Sequence, residues 1–138
     1  MPTPTKTIRL RPRLRAEIER IARRARRSFS EVAQDLLDEA VRMCECPGIY
    51  FADEPAGREA KVAGTGLGVW EVVRDVLAMG QDKRRVRKAL PHLSTGQLRA
   101  ALLYYERYCP EIDAEIAENA AGPGNSRAGR YEKSKPES

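Results

Sequence analysis

The chain has 138 residues, with 25 Lys/Arg against 20 Asp/Glu for a formal net charge of +5, and its mean hydropathy is −0.58. That length suits one modest domain or two small ones, and no apolar run is long enough to suggest a signal peptide or a membrane span. Three cysteines, an odd set with one Cys-x-Cys, and a single histidine fall short of the four well-spaced ligands of a tetrahedral zinc site, so no metal and no cofactor is expected. Reduced thiols and a cytoplasmic location follow from the same reading.

The charge is unevenly spread. Residues 1–30 hold ten Lys/Arg and two Asp/Glu, net +8, whereas residues 31–138 are net −3. This asymmetry is the footprint expected of a surface that meets a polyanion. The bland reading of Arg20, Arg23, Arg24, Arg26 and Arg27 is a solvated helix face partly paired with Glu17 and Glu19.

After a loose lead-in over residues 1–4, Thr5 to Leu10 alternate as a strand, with Ile8 and Leu10 on one face and Thr5, Thr7 and Arg9 on the other. From Arg13 the period turns helical, and Leu14, Ile18, Ile21, Ala22 and Ala25 form one apolar stripe. Ser28 and Glu31 have capping-box spacing and open a second helix with Val32, Ala33, Leu36, Leu37, Ala40 and Val41 as its stripe. One short strand cannot satisfy its own backbone, and such narrow stripes bury too little alone. Antiparallel pairing with a second copy removes the exposed edge and lets four helices close over Ile8 and Leu10. The expected dimer core is Ile8, Leu10, Leu14, Ile18, Val32, Leu36 and Leu37. The ribbon's outer face fits the major groove of B-DNA, where Arg9 is competent to contact guanine O6 and N7.

The segment TKTIRLRPRLRAEIERIARRARRSFSEVAQDLLDEAVR resembles the ribbon-helix-helix repressors. That resemblance implies base reading by Thr5, Thr7 and Arg9, with a phosphate seated on the Ser28, Phe29 and Ser30 amides at a helix N-terminus. Arg11 and Arg27 are further phosphate-binding candidates. The family often has glycine just before the serine, where this chain has Arg27.

Beyond Arg42 the helical period stops, and Cys46-Pro47-Gly48 marks a turn. Ile49 to Phe51 and Glu59 to Val62 then read as the strands of a β-hairpin joined by a turn over Asp53 to Gly57. Its apolar residues either pack on the helices that follow or form an arm against a partner. Gly64-Thr65-Gly66-Leu67-Gly68 lacks the βαβ context and the Lys-Ser/Thr pair of phosphate loops and reads as a turn into a helix. That helix, Val69 to Met79, has Val69, Val72, Val73, Val76 and Leu77 on one face, with Trp70 at the edge. A short basic helix follows over Asp82 to Leu90. A longer one, capped by Ser94, runs to about Tyr108 with Leu98, Ala101, Leu102 and Tyr105 inward. Together they suggest a helix-turn-helix arrangement.

The run from Val62 to Tyr108, including Pro91-His92-Leu93-Ser94 and Arg99-Ala100-Ala101-Leu102, looks like a family of small bacterial proteins whose members are often antitoxins encoded beside PIN-like ribonuclease toxins. Gly68 stands where that family usually carries proline. The resemblance implies a toxin-binding half, with Trp70, Tyr104, Tyr105 and Tyr108 as candidate contacts. A last acidic helix starts at Pro110 with Ile112 and Ile116 on one side, and the Gly/Ser/Pro-rich tail reads as disordered. His92 has no recognisable Ser or Cys partner, so no enzyme is expected.

The fold expected is therefore mainly α. Residues 1–45 form a ribbon-helix-helix DNA-binding and dimerisation domain, 48–119 a hairpin plus helix-turn-helix-like antitoxin domain, and 120–138 a tail. The function expected is a type II antitoxin: a homodimer that represses its own operon at operator DNA and neutralises a PIN-like toxin, with no membrane association. The alternative is a stand-alone dimeric repressor with two DNA-binding modules.

Overall fold

The computed structural model describes residues 3–121, so the expected tail lies almost wholly outside the described residues. It contains six helices and one two-stranded antiparallel sheet: α1 (Pro12–Ala25), α2 (Phe29–Glu45), β1 (Ile49–Glu54), β2 (Gly57–Val62), α3 (Val69–Ala78), α4 (Lys83–Ala89), α5 (Thr95–Arg107) and α6 (Cys109–Ala121). The chain divides into two compact units, Met1–Arg42 and Met43–Ser138. None of the described helices is long and apolar enough to cross a membrane.

In the first unit, Pro12 occupies the start of α1, where its missing N–H has no intrahelical acceptor to serve. The helix ends in a left-handed turn at Arg26 (φ 57°). There the Arg26 N–H donates to Arg23 O at 3.2 Å and the Arg27 N–H to Ala22 O at 3.0 Å, the paired bonds of a Schellman motif. The left-handed position is thus Arg26, not Arg27. Ser28 and Glu31 form the expected capping box: Ser28 Oγ accepts from the Glu31 N–H at 3.1 Å, and Glu31 Oε1 accepts from the Ser28 N–H at 3.2 Å. Among the described residues of this unit the buried core side chains are Ile18, Ala22 and Val32, with Leu10, Phe29, Ala33 and Leu36 packed against them.

Thr5 to Leu10 do not form the expected strand in the single chain. A strand needs a neighbour for its backbone groups, and the described part of this unit contains no other strand.

The second unit is built on its hairpin. Glu54 pairs with Gly57 and Ile49 with Val62, so the turn is just Pro55 and Ala56, and the strands extend further towards it than the expected Asp53–Gly57 turn allowed. Lys61 Nζ meets Glu54 Oε2 at 2.7 Å with both side chains nearly buried, and it donates to Gly66 O at 3.1 Å. The glycine-rich stretch is a tight turn: Thr65 Oγ1 donates to Val62 O at 2.8 Å and accepts from the Leu67 N–H at 2.9 Å. Gly68 then opens α3, its N–H bonded to Glu71 Oε2 at 3.0 Å. A Cβ at Gly68 would lie 2.1 Å from the carboxylate of buried Glu59, which is why a side chain is missing at this position.

Asp82 caps α4 through its Oδ1, and Ser94 with Gln97 forms a reciprocal capping box on α5. Gln97 also donates to Ala63 O at 3.2 Å, tying the start of α5 to the end of the hairpin. The core gathers Ile49 and Val62 from the hairpin, Val69, Trp70, Val72, Val73 and Val76 from α3, Val86 from α4, Ala101 and Tyr104 from α5 and Ile112 from α6. The hairpin's apolar residues are therefore packed on the helices. Leu77 and Leu102, expected inward, are 40% and 36% exposed.

Candidate nucleic-acid interface

The residues expected to read DNA sit in the stretch before α1. Thr5, Thr7 and Arg9 are exposed, and so is Ile8, at 58%. Together with residues of α1 and α2 the segment lines an apolar trough of about 460 Å³, to which Ile8, Leu10, Leu14, Phe29, Leu36 and Leu37 contribute. Leu14 and Leu37 are 49% and 57% exposed. Of the expected dimer core, Ile18 and Val32 are already buried within the unit itself, and Ile18 also lines the trough. Ile8, Leu14 and Leu37 are the members left facing outward.

The phosphate-binding candidates divide. Arg11 is exposed and precedes α1 in extended conformation. Arg27 is already engaged, with its Nη1 2.6 Å from Asp35 Oδ2 and its Nε 4.0 Å from Glu31. The hydrogen bond to Asp35 and that carboxylate's charge raise the Arg27 pKa further, so its positive charge is locally compensated. The Ser28 N–H is likewise taken by Glu31, which removes it from the anion site inferred by resemblance. Phe29 and Ser30 retain first-turn amides of the kind for which a helix offers no acceptor. On α1, Arg15 pairs with Glu19 at 3.2 Å and Arg20 with Glu17 at 2.6 Å, and the Arg20 hydrogen bond holds the Glu17 carboxyl below its ordinary range. Arg9, Arg13, Arg23 and Arg24 remain exposed, consistent with part of the basic face being simply solvated and part being open to a polyanion.

Two of the four aromatic residues expected to contact a toxin, Trp70 and Tyr104, are core residues. Trp70 is 1% exposed and Tyr104 0% exposed, so neither can meet a partner; aromatic bulk at a stripe's edge is drawn into the core because it removes the most apolar area from water. Trp70 also lies under the Arg74 guanidinium at 5.2 Å. Tyr104 packs against Phe51 and Tyr108. Tyr108 and Tyr105 are half-buried, and their hydroxyls donate to Glu45 Oε1 at 2.6 Å and to Asp113 Oδ1 at 2.7 Å. The bonds to Cys109 and then Asp113 push the Tyr105 phenol well above its ordinary pKa, so it stays a donor.

Sequence reasoning missed a different surface of this unit. Leu98, Leu102 and Leu103 of α5 line an open groove of about 400 Å³ beside Lys83 and Arg87 of α4. The adjacent leucines at 102 and 103 were the available signal, since neighbouring helical positions are about 100° apart and a narrow stripe cannot bury both. Among the described residues, no three His, Cys, Asp or Glu side chains cluster so as to hold a metal ion. Compared with known proteins, the chain matches no family model, no curated protein and no solved structure.

Proposed function

We propose that the chain is a cytoplasmic, dimeric DNA-binding autorepressor of the ribbon-helix-helix type and, on the resemblance of Val62 to Tyr108, the antitoxin of a type II toxin–antitoxin pair with a PIN-like toxin. The observation that carries the DNA-binding part is the apolar trough of the first unit. Exposed Ile8, Leu14 and Leu37 line it, and three buried residues make a poor core for a free-standing fold. A second copy laid antiparallel along Thr5 to Leu10 would fill the trough and supply the missing strand hydrogen bonds. Thr5, Thr7 and Arg9 would then project together from a ribbon of groove width. The net +8 of residues 1–30 supplies the field that draws such a face to DNA. Arg11 and the Phe29 and Ser30 amides are the phosphate contacts this reading keeps, and Arg27 and the Ser28 amide are the ones it releases.

The test is a binding titration of the full chain against the DNA upstream of its own gene. Arg9→Ala should weaken specific binding by about 1–3 kcal/mol and relax one operator position, with non-specific affinity nearly unchanged. An operator preference untouched by that substitution rules out Arg9 as a base reader. The antitoxin part is tested by co-expression with the product of the neighbouring gene, which should co-purify as a complex and lose its toxicity.

A further inference from the structure

We propose that the groove between α4 and α5 docks an acidic, amphipathic helical segment of another protein. The inference deepens the reading of the second unit as partner-binding, by naming the surface and the chemistry it selects. Thr95, Leu98, Arg99, Leu102, Leu103 and Glu106 recur at helical spacing and give α5 a second face, distinct from the Ala101 and Tyr104 side packed in the core. From 95 to 106 this face runs about 16 Å, three turns of helix.

The floor of the groove is aliphatic and open, with Leu102 and Leu103 36% and 38% exposed. Its walls are cationic: Lys83, Arg87 and Arg99 face it with Glu106 as the sole carboxylate among the lining residues. Arg84, Arg85 and Lys88 extend the same positive charge along α4. Among the described residues these cations form no ion pair, and Arg87 instead donates to Thr95 Oγ1 at 2.6 Å.

Charge complementarity selects the occupant. A second copy packed symmetrically would bring the same cations face to face. The chain's own acidic helix cannot serve from a second copy, because Ile112 of α6 is fully buried in its own core. Nucleic acid suits the cations but not the floor, since three leucines offer no hydrogen-bond donor to a phosphate or a base edge. A helix with leucine-like residues at i, i+3, i+4 and i+7 and carboxylates on its flanks satisfies both.

The test uses the full chain and a labelled 18-residue helical peptide of Leu at that spacing with Glu elsewhere. The controls are a scrambled peptide of the same composition and a peptide with Lys in place of Glu. Binding of the Leu/Glu peptide should exceed both controls at least tenfold. It should fall at least tenfold with Leu102→Asp and, separately, with Lys83→Glu/Arg99→Glu, which changes exposed side chains only and keeps the assay decisive if Leu102→Asp unfolds. Equal binding of either control, or indifference to the charge reversal, overturns the proposal. So does displacement of the peptide by a short DNA duplex, which makes the groove a nucleic-acid face, or self-association abolished by Leu103→Asp, which makes it an interface between copies. In co-expression with the neighbouring gene product, a complex indifferent to both sets of substitutions overturns the groove assignment while sparing the antitoxin reading. Groove-dependent peptide binding without any such complex upholds the groove and removes that reading.

Discussion

The two units of this molecule bury very different amounts of apolar surface. Among the described residues the second encloses sixteen side chains, from Cys46 to Ile112, around Trp70 and Tyr104, whereas the first encloses Ile18, Ala22 and Val32. The first also leaves Ile8, Leu14, Leu37 and Val41 about half or more exposed, on segments whose periodicity is as strong as any in the chain. A good stripe without a matching core points to a missing surface. The proposed second copy supplies it for the first unit, while the second unit closes on its own core and has an open groove between α4 and α5.

The sharpest way to break this comparison is Leu37→Glu. At a merely exposed position the change is worth no more than about 0.5 kcal/mol. If the trough is a dimer interface, the substitution should abolish the dimer and melt the first unit, read by equilibrium sedimentation and by a helical signal that becomes independent of concentration. Next comes Trp70→Ala, which should cost the second unit about 3–5 kcal/mol because a large aromatic leaves a cavity that the valines of α3 cannot fill. Trp70 is the chain's only tryptophan, so in the wild type its fluorescence follows the second unit alone and separates the two transitions.

Lys61→Met should destabilise the second unit by about 3 kcal/mol, since it removes the cation that faces the nearly buried Glu54 carboxylate at 2.7 Å. Restoring an apolar pair with Glu54→Leu should recover most of the loss in a denaturant titration. The smallest effect is pH-dependent. Burial, with Glu111 and Glu118 nearby, pushes the Glu115 carboxyl up to about 7. The folded state then holds this proton more tightly than the unfolded chain, so stability falls as pH rises from about 4.5 to about 7. After allowance for solvent screening the loss is about 1 kcal/mol, and Glu115→Gln should flatten that part of the stability profile.

Much of the second unit was legible because its signals are local. Ser94, the helix start at Asp82 and the 3.6-residue stripes marked the helices with nothing more than capping chemistry and periodicity. The hairpin's length was not, because Asp53, Arg58 and Glu59 carry charges that blur strand alternation, and only the pairing of Glu54 with Gly57 defines the turn. The binding residues were hardest to read. Trp70 and Tyr104 have the composition of contact residues and the position of core residues, and a one-dimensional stripe does not say how far packing reaches around a helix.

By itself the sequence determined where helices start and stop and the concentration of positive charge in residues 1–30, because caps, stripes and charge runs depend on neighbours within a few residues. Tertiary structure alone decided that Tyr104 is fully buried, that Arg27 and the Ser28 amide are already engaged, and that Lys83 and Arg87 stand beside Leu102 and Leu103. Those outcomes depend on which faces of separate helices meet, and burial is a property of the packed unit rather than of any one helix.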